Sequence, residues 1–549
     1  NNSNSDVILE LSSGSTYNGD VTFNNTSTSV VQVAYGGPTA FNGNIVVNST
    51  NGSGVRFGQS TGTATLADTK TIAIGGSGFS SGDLRLDQFT QIGTTAQVLA
   101  LTGTATLRIG NGSQFNGAVN FVAPQLELNG CTYNGTPTYL EKNGAASNVG
   151  SGGNTFNGTN TTIVNSGSGY LLLGNNNPDI FNGPATFTNS GSNWLYLAHN
   201  SAGNEFNGNI TFNSTGSSNG IVFSNGGGGS STLGVGAVMS IGGGGFGTGE
   251  LRVQRMVQAV GGASQNLTLT GSALMQLGPA TTFEGDVDFK APRMLLNGTT
   301  YMGGAQLEKT GTVNDVGTGG NVFNGIALLT NSGDSYLMTG NTNPDIFNGL
   351  LTIVNTGAST IRLANNSVGN QFNGNVELNS LAGGGIYFCD GAGGAATLAN
   401  TRTIGVGGHG AIRGDVRLER LPQIGTTAQT LALSGIAALT LGPSSTFGGD
   451  VDFRAPRLFL NGTAFNGTAT LEKNGASNDA GTGGNIFGST TTIVNSGSGY
   501  LLTGNTSADI FNGNLTVTNT GSSTIHLAYN TPGNQFNGNI TFNSTLGSG

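Results

Sequence analysis

The chain has 549 residues, of which 97 are glycine, 8% are charged and 7% are aromatic, with a formal net charge of −9. That balance excludes a nucleic-acid groove, which needs basic residues against phosphate, and no run of 18 apolar residues is present to cross a bilayer. Hydrophobic residues make up only 35%, but they are regularly spaced, which sets the chain apart from a disordered Gly/Ser tract.

From the N-terminus onward the organising signal is a Phe/Tyr-x-Gly motif. Its aromatic residues are Tyr17, Phe41, Phe115, Tyr133, Phe156, Phe181 and Phe206, then Phe283, Tyr301, Phe323, Phe347 and Phe372, then Phe447, Phe465, Phe511 and Phe536. Most steps are 18 to 25 residues; gaps of 74, 77 and 75 after Phe41, Phe206 and Phe372 each equal about three steps with the marker missing. After each aromatic comes Asn-Gly or a relative of it, which reads as a tight bend needing positive φ. Next comes period-two alternation, as in Ile210 and Phe212 against Asn209 and Thr211, which is a strand pattern. No 12-residue window makes a convincing amphipathic helix.

A longer period lies above the short one. Phe41-Asn-Gly-Asn-Ile-Val-Val-Asn-Ser returns from Phe206, Phe372 and Phe536, at spacings of 165, 166 and 164 residues. The expected organisation is a partial repeat (1–40), superrepeats over 41–205, 206–371 and 372–535, and the start of another at 536–549, all in one continuous solenoid. The chain opens at Asn1 and stops within a repeat at Gly549, so an excerpt of a longer polypeptide is expected.

A unit of 18 to 25 residues cannot bury its own apolar face, and stacking solves this. The expected fold is therefore all-β: a β-solenoid whose inward Ile, Val, Leu and Phe form ladders, with Asn amide ladders at equivalent corners. About 23 coils at about 4.8 Å would make a rod of roughly 110 Å. A string of β-sandwiches would need units of about 100 residues instead.

The search for chemistry finds no catalytic or metal residues to nominate. None of His199, His409 and His526 has a histidine counterpart in another copy. The Gly-rich runs 226–229 and 242–245 lack the Lys-Ser/Thr that would close a phosphate loop. Cys131 and Cys389 occupy unmatched repeat positions, so no disulfide is expected. Several acids recur: Asp179, Asp345 and Asp509 precede Ile-Phe-Asn-Gly, and Glu141-Lys142 returns as Glu308-Lys309 and Glu472-Lys473. They read as turn caps and solvated pairs. Calcium is the one cofactor they leave open; otherwise none is expected. The densest charge falls on one coil per superrepeat: Asp83, Arg85 and Asp87; Glu250, Arg252 and Arg255; Asp415, Arg417, Glu419 and Arg420. By alternation these point outward, which reads either as ordinary surface solvation or, more sharply, as a stripe for lateral assembly. Trp194, the only Trp, aligns with Thr360 and Thr524; packing on an adjacent coil is the preferred reading, with a local binding spot as the alternative.

The Phe-Asn-Gly-Asn-Ile-Thr-Phe-Asn-Ser and Ile-Val-Asn-Ser-Gly-Ser-Gly-Tyr blocks resemble the repeats of giant secreted surface proteins of Bacteroidota, exported by the type IX system, with grappling-hook filaments as one kind. The resemblance covers essentially the whole chain and implies an extracellular, cell-surface filament or adhesin, used in attachment or capture. On that basis the chain is expected to be a non-enzymatic stiff rod that self-associates. Target-cell glycans or proteins would be its other partners, with no nucleic acid and no membrane span. The alternative is a carbohydrate-binding or carbohydrate-cleaving β-helix, which would show a cluster present in one copy alone. An ice-binding face is disfavoured, because no flat Thr-x-Thr ladder recurs.

Overall fold

The computed structural model describes residues 1–3, 9–11 and 14–545. Strands of two to eight residues alternate with turns and bends, and no helix occurs among the described residues. The strands wind into a β-solenoid of about 22 turns, with coils of about 24 residues. The chain forms two compact units: Asn1–Gln276 with Ala280–Glu284, and Leu277–Pro279 with Gly285–Gly549.

Each coil carries three strands. In the first unit one coil runs through Thr155–Phe156, Thr161–Asn165 and Leu171–Leu172, and the next opens at Ile180–Phe181. Within each sheet the strands pair in parallel with their counterparts one coil on, so that Phe156 lies beside Phe181, Ile163 beside Phe187 and Leu171 beside Leu195. The second unit repeats the scheme, with Phe323 beside Phe347, Leu329 beside Ile353 and Leu337 beside Ile361. Alternation is as the sequence implies: in Ala185–Asn189 the first, third and fifth residues are buried and the Thr between them are half-buried.

Burial comes from the coil above. Phe212 and Ile210 are fully buried, whereas Phe542 and Ile540, in the identical nonapeptide of the last described coil, are 70% and 39% exposed. Inward aromatics stack face to face: Tyr133, Phe156, Phe181 and Phe206 in the first unit at 5.0, 4.5 and 5.1 Å, and Tyr301, Phe323 and Phe347 in the second at 4.7 Å per step. The missing markers are also located. Leu66 and Gln91 continue the ladder after Phe41, and Leu398 and Gln423 after Phe372. The buried Gln258 and Gln423 donate their side-chain N–H groups to the Ala263 and Thr427 carbonyls, at 2.6 Å each. Phe487, which lacks the spaced glycine, also stands in the ladder, between Phe465 and Phe511.

The corner after the aromatic corrects one expectation. The glycines at 135, 158, 183 and 208 do not have positive φ. They are required by close approach: a Cβ at Gly183 would run into the Gly158 carbonyl oxygen, and one at Gly158 into that of Gly135. Among non-glycine residues positive φ falls mostly at the corner that follows the third strand, as at Ala198, Ser224 and Cys389. The expected Asn ladder runs beside the first corner: Asn134, Asn157, Asn182 and Asn207 each donate to the Asn one coil before, at 2.7–3.0 Å.

Candidate functional site

The recurrent acids and lysines sit inside the coil stack. Lys142, Lys309 and Lys473 end the second strand of their coils and have no exposed surface, which corrects the expectation of a solvated Glu–Lys pair. The fifth residue of that strand points inward, so its ammonium must find backbone acceptors: Lys142 Nζ donates to the Gly144 and Gly169 carbonyls at 2.6 and 3.1 Å. Burial pulls its pKa down to about 8. Lys309 has in addition the buried Asp315 at 4.0 Å, itself held by Arg293 at 3.2 Å. The first copy has Asn148 and Gln125 at the positions of Asp315 and Arg293, so the carboxylate and the guanidinium are lost together there.

Asp179, Asp345 and Asp509 are likewise about 1% exposed and so are not surface turn caps. Each fastens its coil to the one before. Asp345 Oδ1 accepts the backbone N–H and the side-chain amide of Asn321, both at 2.8 Å, while its own N–H donates to Asn370 on the next coil at 2.8 Å. Burial raises the pKa of Asp179 and Asp345 to about 6, against the lowering effect of these bonds. Thr339 donates to Asp345 Oδ2 at 2.6 Å, and Thr503 does the same for Asp509. Leu173 stands at this position in the first copy, and Asp179 Oδ2 is left without a hydrogen-bond partner. Among the described residues no three His, Cys, Asp or Glu side chains converge to hold a metal ion. Cys131 and Cys389 are buried free thiols, and burial pushes the Cys389 thiol up to about 12.

The ten charged residues singled out from the sequence lie on or just after the third strand, and they do not behave alike. Arg85, Arg252 and Arg417 point outward as alternation requires, yet each is paired within its own unit. Arg85 pairs with Asp87. Arg252 grips Glu250 with two bonds of 2.7 and 2.9 Å and lies over the Trp194 ring at 5.9 Å. Arg417 reaches Asp390 at 2.9 Å and stacks on Tyr387 at 4.4 Å, with Asp415 and Glu419 at 3.6 and 3.9 Å. Asp87 and Glu250 are only 9% exposed, and burial raises the Asp87 pKa despite Arg85 beside it. Arg255 and Arg420 turn back onto carbonyls of the loops at 224–229 and 389–394. The stripe is therefore a set of clusters in which the outward arginines are neutralised within the chain, while Arg255 is held by carbonyls.

Repeat comparison missed several members of these clusters. Arg56 and Arg108 flank Arg85 in register, Arg108 pairs with Glu127 at 3.0 Å, and Arg362 shares Asp390 with Arg417. Arg108 and Glu127 were visible as departures from the pattern, because the other copies carry Gln276 and Thr440, and Leu295 and Phe459, at those positions. His199 packs edge-on against Tyr196 at 5.1 Å, and His526 lies between Tyr500 and Tyr529. No protein-family model, curated protein or solved structure matches the chain.

Proposed function

We propose that the chain is a structural segment of an extracellular, cell-surface filament or adhesin and that it performs no catalysis. What supports this is where the recurrent chemistry goes. The carboxylates and ammonium groups that return in every superrepeat are consumed in fastening one coil to the next, as Asp345 does between Asn321 and Asn370. The same device repeated every 165 residues or so builds length and does not build one reaction centre. Many outward positions carry Asn, Thr and Ser, and the outward arginines Arg85, Arg252 and Arg417 are already paired. Such a surface stays hydrated and offers other copies of the chain, or a target cell, the same contact many times over.

Antibodies raised against the purified chain test the location. They label intact, unpermeabilised source cells if the proposal holds. Labelling that appears only after permeabilisation overturns it.

A further inference from the structure

One groove is lined by residues in which the first copy departs from the others. In the first unit a polar groove of about 690 Å3 runs over the corner after the third strand, bordered by Gln59, Arg85, Gln88, Arg108, Asn129 and Asn177. Its lining comes from six consecutive coils, from Gly58 to Asn177, so it extends for about five coil steps, or about 24 Å. Its volume is in the range of small-molecule sites, about 300–1,000 Å3, but its form is a channel and not a cup.

The other copies show why it is open here. Gln88, Arg255 and Arg420 are equivalent and share one left-handed backbone conformation, with φ of 45°, 48° and 45°. Arg420 fills its corner by donating to the carbonyls of Gly394 at 2.7 Å, Gly391 at 2.5 Å and Cys389. Arg255 does the same to Gly229, Gly226 and Ser224. Gln88 is shorter and reaches only the Ser60 carbonyl, at 3.4 Å. The neighbouring coil carries Asn111 where the other copies carry Pro279 and Pro443. The groove exists because a guanidinium plug and a proline are both missing from this copy.

Its chemistry selects the occupant. Three cations and three anions line or back the groove, and they cancel in pairs: Arg56 with Asp83 at 3.2 Å, Arg85 with Asp87, and Arg108 with Glu127 at 3.0 Å. A polyanion would meet Asp87, and a polycation would meet Arg85 and Arg108. Around them stand the amides of Gln59, Gln88, Asn129 and Asn177, which both donate and accept, and bare backbone at Gly110 and Gly130. This is a match for closely spaced hydroxyl groups, each of which also donates and accepts. We propose that this groove binds a linear, uncharged oligosaccharide lying along the direction in which the coils stack. The assignment rests on the groove alone and is independent of where the chain is displayed.

The experiment uses the whole chain against immobilised cello-, xylo-, manno- and chito-oligosaccharides, with alginate and polygalacturonate oligomers as acidic counterparts. The expected result is retention by at least one neutral series, with affinity rising with chain length. Gln88→Arg, which restores the plug of the other copies, should weaken that binding at least tenfold while leaving the thermal unfolding curve in place. Asn111→Pro is a second narrowing variant, read in the same way. Retention of no neutral series, retention of acidic oligomers alone, or undiminished binding by both folded variants would each overturn the assignment.

Discussion

Thr339→Val is the sharpest test of how the coils are fastened. The change keeps the volume and removes one hydroxyl, which donates to Asp345 Oδ2 at 2.6 Å where both side chains are about 1% exposed. A hydrogen bond to a charged group contributes about 1.5–3 kcal/mol, and the carboxylate oxygen left behind has no water to turn to. At about 1.4 kcal/mol per tenfold, that corresponds to roughly 10- to 150-fold faster opening. Hydrogen exchange reads this locally, at the amides of Asn321 and Asp345, which are held by Asp345 and Asn370. The pH dependence has a definite sign. The folded pKa of Asp345 is raised to about 6, above the usual value of about 3.9 in an unfolded chain. Between those values the folded state holds the extra proton, so this group's contribution to stability is fully present below about pH 4 and is lost as pH rises through 6. The variant loses a bond to the ionised form, so its deficit should be largest at pH 7 and shrink toward pH 4.5. A change of less than twofold at pH 7, or a deficit that grows on acidification, would refute the account.

Lys142→Met should abolish a different pH slope. The folded pKa of about 8 lies below the unfolded value of about 10.4, so wild-type stability rises between those pH values; urea midpoints at pH 7.5 and 10 that differ equally in both proteins would contradict a buried ammonium. Gly183→Ala and Gly183→Asn should both destabilise their coil by about 1–3 kcal/mol, because any Cβ meets the Gly158 carbonyl oxygen; tolerance of Asn alone in a urea melt would instead mean that the corner needs positive φ. For lateral assembly, Arg252→Gln with Arg417→Gln is preferred to reversal to Glu, which would set a carboxylate against Glu250 and Asp390. The pair should reduce concentration-dependent light scattering, at a stability cost of about 1–3 kcal/mol where Arg252→Gln leaves the nearly buried Glu250 without its charged partner; unchanged scattering by the folded variant would remove this stripe from any interface.

Whatever depends on neighbours along the chain is legible in the residue order. Alternation of Ile210 and Phe212 with Asn209 and Thr211 dictates strands, and the return of Phe-Asn-Gly dictates coils that stack, because no coil of this size covers its own apolar face. Contacts across coils were decided only by the tertiary structure. Alternation assigns the fifth strand residue to the inner side but does not say that the corner closes over it, so Lys142 read as solvated and proved buried. Asn-Gly read as a turn conformation, whereas the constraint is a carbonyl one coil away. Gln88, Arg108 and Glu127 each depart from the other copies in sequence, but they lie about 20 residues apart and nothing along the chain joins them. Parallel in-register pairing brings such positions to within about 4.8 Å per coil, and only then do a missing arginine, a missing proline and an extra ion pair add up to one groove.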